Sequence, residues 1–202
     1  MFNFKKIKLN RGMTYVELIV VLSIGAVLSS VVLFNYRDFQ DKIDMKNLAS
    51  DLASQIIEMQ RASISGKIPT HTIPPDNWRP SYGAYFNLQE IGNKTFYTFS
   101  DMYEQDKRLE SVDPCPGVEC MSRIDITKGN YINNIYLKYI DGKEDKPIDL
   151  HITFTRPNSG AVFYSNGSEL VDLEYVEILL NNRSNSTRSS IFIYPSGRVQ
   201  IK

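Results

Sequence analysis

Few residues in this chain have the type and spacing to do chemistry, and the clearest lie at its N-terminal end. From Met13 to Phe34 the chain reads MTYVELIVVLSIGAVLSSVVLF, directly after Gly12, and the only charged side chain in that run is Glu17. An ionised carboxylate at the centre of a bilayer costs about 2.5–3.5 kcal/mol on insertion scales and less near the interface, so an intramembrane acid marks a function and needs a cationic partner. A cut between Gly12 and Met13 would create one. The new α-amino group would lie four residues before Glu17, about one helical turn away. The same pair made between neighbouring copies would fix their axial register, because an unpaired carboxylate in an apolar core is penalised. Gly12, small and permissive, suits a protease-accessible bond ahead of a helix.

Other chemistry is sparse. The chain has two histidines, His71 and His151, which stand apart without ligand spacing, so neither a metal nor a cofactor is expected. There is no Gly-rich loop before a helix and no His-Glu-x-x-His pattern, and an enzyme is not expected. The acids of Asp141-Gly142-Lys143-Glu144-Asp145-Lys146-Pro147 read as a solvated hairpin loop, and their spacing does not match an EF-hand. The cysteines, Cys115 and Cys120, flank Pro116 and Gly117, which favour a tight turn able to bring the sulfurs together. Two readings stand: a small disulfide loop, favoured outside the cytoplasm, and two free thiols. Arg183 and Arg188 in the polar stretch Asn181–Arg188 are candidate ligand contacts, for DNA or a glycan. A hydrated turn is the weightier reading there, because no continuous basic stripe surrounds them.

These residues need elements to position them. The 202 residues carry 23 basic and 23 acidic side chains, but Lys5, Lys6, Lys8 and Arg11 all precede the apolar run without an acid among them. Without residues 1–12 the balance is 19 basic against 23 acidic, a net charge near −4, which argues against a nucleic-acid footprint made by bulk charge. Residues 13–34 are long enough to span a bilayer, since about 20 apolar residues cover its hydrocarbon core. The basic flank holds the N-terminal end in the cytoplasm and places the chain beyond Phe34 on the outer side. Residues 35–66 continue as an amphipathic helix, with Phe39, Ile43, Leu48, Leu52, Ile56 and Met59 as its apolar stripe and Gly66 as its C-cap.

Residues 67–202 are β-rich. Strands are expected at 70–73, 82–88, 95–100, 132–140, 149–155, 161–165, 176–180, 189–194 and 199–201. Ser159-Gly160, Asn166-Gly167 and Ser196-Gly197 supply turns. Residues 101–131, rich in charge and proline, read as a long surface excursion. The fold class is α+β: one long N-terminal helix packed by its second half on a mostly antiparallel sheet domain.

Arg11-Gly12-Met13-Thr14-Tyr15-Val16-Glu17, followed by an apolar helix, resembles the class III signal of type IV prepilins and type II secretion pseudopilins. The resemblance implies the pilin fold, removal of the leader 1–12 by a prepilin peptidase and methyltransferase, and N-methylation of Met13. It also implies assembly with other pilin subunits through Glu17, by pilus assembly machinery. Members of the family most often begin with Phe where this chain has Met13, and they commonly carry a helix-breaking Pro that is missing from this apolar segment. A narrower set of segments, Leu48–Ser54 through Ala62, Tyr82–Phe86, Ile152–Phe154 with Ser159-Gly160, and Tyr194-Pro195-Ser196-Gly197-Arg198-Val199, is similar to minor pilins and pseudopilins of the H/FimT-type group. The implied function is a structural subunit of a type IV pilus or type II secretion-like filament, in the inner membrane before assembly and in a periplasmic or extracellular filament after it. The alternative is a tip-located ligand-binding pilin, an adhesin or a DNA-capturing subunit.

Overall fold

The computed structural model describes residues 12–69, 73–89, 93–102 and 104–202. Leader residues 1–11 and the expected strand positions 70–72 lie outside them. The chain divides into two compact units, Met1–Gln40 and Asp41–Lys202. The division falls after residue 40, within the helix, rather than at the end of the apolar run.

Helix α1 (Tyr15–Ser65) contributes to both units. Thr14 caps it: the Thr14 hydroxyl accepts the Glu17 N–H at 3.3 Å, and the Thr14 carbonyl accepts the Leu18 N–H at 3.1 Å. Thr-x-x-Glu is the capping-box spacing, which places Glu17 at the third helical position. In the first unit, Tyr15–Val32 has a mean hydropathy of 2.2 and no buried residue, and it is long and apolar enough to cross a membrane. Two of its three serines satisfy their hydroxyls inside the helix, Ser23 on the Val20 carbonyl and Ser30 on the Val27 carbonyl, each at 2.8 Å. That removes most of the polar cost of placing them in an apolar stretch.

In the second unit α1 ends as its sequence directs. Gly66 takes a φ of +66°. The Lys67 N–H reaches the Ala62 carbonyl and the Gly66 N–H the Ser63 carbonyl, both at 3.1 Å, which is a Schellman cap. The buried face of the helix is Met45, Ala49, Leu52, Ala53, Ile56, Met59 and Ala62. This corrects the expected stripe: Phe39 and Ile43 are exposed and Leu48 is half-buried. Small alanines define the phase, because they let the helix axis approach the core more closely than large side chains permit.

Eleven strands come after it among the described residues: β1 (Ser81–Asn87), β2 (Thr95–Ser100), β3 (Cys120–Asp125), β4 (Tyr131–Tyr139), β5 (Glu144–Asp145), β6 (Asp149–Thr155), β7 (Ala161–Ser165), β8 (Ser168–Leu170), β9 (Leu173–Asn181), β10 (Arg188–Ile193) and β11 (Val199–Ile201). They form two sheets, ordered β3-β2-β1-β6-β7-β8 and β11-β10-β9-β4-β5. Every pairing is antiparallel. The fold is therefore α+β, with an N-terminal apolar helix and a mostly antiparallel β domain. Tyr82, Ala84, Phe86, Ile152 and Phe154 of one sheet and Ile132, Ile135, Val176, Ile178 and Ile191 of the other share one buried cluster with the helix face. Strict alternation along β6 and β9 puts these residues inward and His151, Thr153, Tyr175 and Glu177 outward.

The stretch 101–131 is not a simple surface excursion. It contains β3, and Leu109 and Cys120 bury against Phe99 in a second, smaller cluster on the outer face of the six-stranded sheet. A few apolar side chains among many charges are enough to lay the loop down, because Phe99 on β2 offers them a fixed apolar surface.

Candidate functional site

Gly12 and Met13 are exposed, non-helical residues ahead of α1, so the bond between them is accessible chain. Glu17 sits one turn into the helix, exposed, with its backbone held by Thr14. The Thr14–Glu17 spacing is present in the sequence, and the Thr14 hydroxyl caps the Glu17 N–H.

Cys115 and Cys120 are joined as a disulfide, with Cα atoms 5.3 Å apart. The bond closes the loop that carries Pro116 and Gly117 and sits beside the Phe99–Leu109 cluster.

The two arginines singled out from sequence do not share a site. Arg183 is exposed, and its stem lies against Gly129 in the turn before β4. The loop around it is wired internally. Asn182 donates to Asp41 at 3.0 Å, Ser184 at 2.9 Å and Ser186 at 3.1 Å, and it accepts the Thr187 N–H at 3.2 Å. A loop that satisfies its own polar groups needs no ligand to order it. Arg188 instead lines an open groove of about 530 Å³ on the outer face of the five-stranded sheet, with Tyr136, Lys138, Tyr175, Phe192 and Lys202. Tyr175 packs edge-on to Phe192 at 5.3 Å, and Lys202 lies 4.9 Å over the Phe192 ring. This groove depends on β4 pairing with β9, a contact no local pattern announces. Trp78, another aromatic beside a cation in the sequence, is held by the fold: its ring N–H donates to the Asp101 carbonyl at 2.6 Å and its edge meets Tyr82.

The turn motifs at Ser159-Gly160 and Ser196-Gly197 converge on the helix. The Gln60 amide donates to the Ser159 carbonyl at 2.7 Å and to the Gly197 carbonyl at 3.2 Å, and the Ala161 N–H donates to the Pro195 carbonyl at 2.9 Å. Gly197 has a φ of +83°, and a Cβ there would collide with the Ser159 carbonyl and the Gln60 amide. These motifs are a structural clamp between α1 and the two turns.

Two buried titratable groups, Asp101 and His151, lie on the outer face of the six-stranded sheet beside the loop after β2. Asp101 is fully buried and accepts the Lys107 N–H at 2.8 Å. Burial first, then the nearby charges of Glu119 and Asp106, push its carboxyl up to about 6, although the Lys107 bond opposes them. His151, on β6, is stacked on Tyr85 at 4.3 Å, and burial pushes it down to about 4 against the pull of Asp149. Thr153 fixes the loop by donating to the Lys107 carbonyl at 2.6 Å.

No protein-family model, curated protein or solved structure matches the chain. Its class rests on the fold itself: an α+β protein with a membrane-length apolar helix ahead of an antiparallel β domain.

Proposed function

We propose that this chain is a pilin-fold subunit, of the minor pilin or pseudopilin kind, in a type IV pilus or type II secretion-like filament. One observation carries the reading. The span Tyr15–Val32 buries none of its residues within its own chain, while the second unit has a complete core of its own. An 18-residue helix that is apolar all round requires an apolar environment on every side. A bilayer supplies one before assembly, and neighbouring copies of the same helix supply one in a filament. A plain membrane anchor would account for the apolarity but gives no reason for Glu17, which is costly in lipid and useful only with a cation. Cleavage after Gly12 by a prepilin peptidase supplies that cation as the Met13 amino group. The exposed, non-helical Gly12–Met13 bond is compatible with such a cut.

The cap that Thr14 provides has to be separated from the charge of Glu17. Glu17→Gln keeps a capping-box residue and removes the charge, whereas Thr14→Ala removes the cap and keeps the charge. Both variants are expected to insert. Only Glu17→Gln is expected to be lost from isolated filaments, and its normal incorporation would sink the charge-pairing role. A second reading, ligand binding at a filament tip, draws on the groove that holds Arg188, lined by aromatic rings and by charges of both signs, Glu144 and Glu177 among them. DNA or glycan binding that is lost in Arg188→Ala and kept in Arg183→Ala would favour it.

A further inference from the structure

We propose that the groove between α1 and the β10–β11 hairpin binds the phosphate groups of anionic lipids. The proposal rests on insertion of the apolar span into a bilayer and not on assembly into a filament.

The groove holds about 400 Å³ and takes Lys42 and Lys46 from α1, Arg188 from the start of β10, and Lys202 after β11. All four are exposed, and no acid lines the groove. That is a local reversal of sign, because residues 13–202 carry 19 basic against 23 acidic side chains. The nearby helix acids are committed elsewhere: Asp41 accepts the Asn182 amide at 3.0 Å, and Asp44 pairs with Lys128 at 2.7 Å. Among the described residues none of the four cations forms an ion pair. Lys42 and Lys46 stand four apart on one helix face, a like-charge spacing that weakens a helix unless an anion lies between them. The Ser50 and Thr187 hydroxyls add neutral donors in the same groove.

Arg188 and Lys202 also line the groove on the outer face of the five-stranded sheet, where Glu144 and Glu177 compete for them. Glu144 is already paired with Lys138 at 2.8 Å. Lys42 and Lys46 have no such competitor in their groove, so they are the residues on which an anion depends most.

Chain length selects a lipid as the source of the phosphate. Lys42 lies ten residues after Val32, the last residue of the span, and α1 runs unbroken through both. Ten helical residues rise about 15 Å, which bounds the distance of Lys42 from the hydrocarbon edge whatever the tilt of the helix. The polar layer of a leaflet is about 5–8 Å deep, and charge acts over about 8 Å more at physiological ionic strength. The two ranges meet. The tether also gives a high effective concentration, so a weak site is filled. Ile201, exposed beside the cations, offers an apolar margin that suits the glycerol and acyl part of a lipid and that an inorganic ion would leave in water.

The test is amine footprinting of the full chain in lipid nanodiscs, read by mass spectrometry. Discs of phosphatidylcholine alone are compared with discs of equal parts phosphatidylcholine and phosphatidylglycerol. Lys42 and Lys46 are expected to react several-fold more slowly in the anionic discs, while the exposed Lys94 and Lys143 react at the same rate in both. The slowing should vanish in about 1 M salt and shrink in Arg188→Ala. Equal rates at Lys42 and Lys46 in the two discs, or the same slowing at Lys94 and Lys143, would overturn the proposal. Equal protection in neutral discs by millimolar inorganic phosphate would overturn it in favour of a free ion, and by a short DNA duplex in favour of the ligand-binding reading. Failure of the filament reading shows separately, as a chain that is not cut after Gly12.

Discussion

The two stretches of α1 have the same backbone but differ in apolar content and in surroundings. From Tyr15 to Val32 no residue is buried, whereas Met45, Ala49, Leu52, Ala53, Ile56, Met59 and Ala62 are each at most 6% exposed. The difference lies in both hydrophobicity and pattern. The second stretch carries a stripe and finds its partners in its own chain. The first, apolar apart from Glu17 and its serines, buries none of its residues in its own chain.

This contrast can be broken by mutation. Ile56→Ala removes a fully buried side chain and should destabilise the β-rich unit by about 2–5 kcal/mol, read as a lower midpoint in chemical denaturation. Val20→Ala should leave that midpoint unmoved, and an equal loss from both variants would erase the distinction. Replacing Cys115 and Cys120 together with Ser opens a loop of six residues and should cost about 2 kcal/mol on the chain-entropy account. The loss should disappear when both proteins are compared under reducing conditions.

Gly197→Ala should cost about 1 kcal/mol or more from the positive φ alone. Gln60→Ala, which loosens the same clamp from the helix side, should leave less for Gly197→Ala to remove, because residues in one contact network do not add. A pH series sharpens the account of the covering loop. In the native state the Asp101 carboxyl is raised from 3.8 to about 6, so the native state binds the extra proton in that window. Its contribution to stability therefore falls as pH rises from about 4 to about 6 and is flat above. Asp101→Asn lacks this penalty. Its stability relative to wild type should climb across that window and then level off. At the small end, Arg183→Ala should shift stability by no more than about 0.5 kcal/mol, as expected for an exposed side chain on a self-satisfied loop.

Much of the fold is legible in the sequence because it is local. The Gly66 cap, the strands at 95–100, 149–155 and 161–165, and the Asn166-Gly167 turn between β7 and β8, with φ of +49° and +75°, depend on a few neighbouring residues. The features that are not legible depend on distant pairing. β3 is hidden because its outward residues are charged and only Cys120 is buried. The helix stripe is read correctly at Leu52, Ile56 and Met59, but the buried alanines are missed and Phe39 and Ile43 wrongly included when large apolar residues are weighted over small ones. The groove with Arg188 requires strand neighbours far apart in the chain. The Thr14–Glu17 capping box is a different case: it is local, and it is overshadowed by the oddity of a carboxylate in an apolar run.

We propose that the apolar helix lies among copies of itself, with a charge partner for Glu17 created by processing. The most direct test of that proposal is the mass of the N-terminal fragment of the chain recovered from the membrane and filament fractions. The account predicts a chain that begins at Met13 and carries one added methyl group. A chain that keeps residues 1–12, or is cut at any other bond, would contradict it.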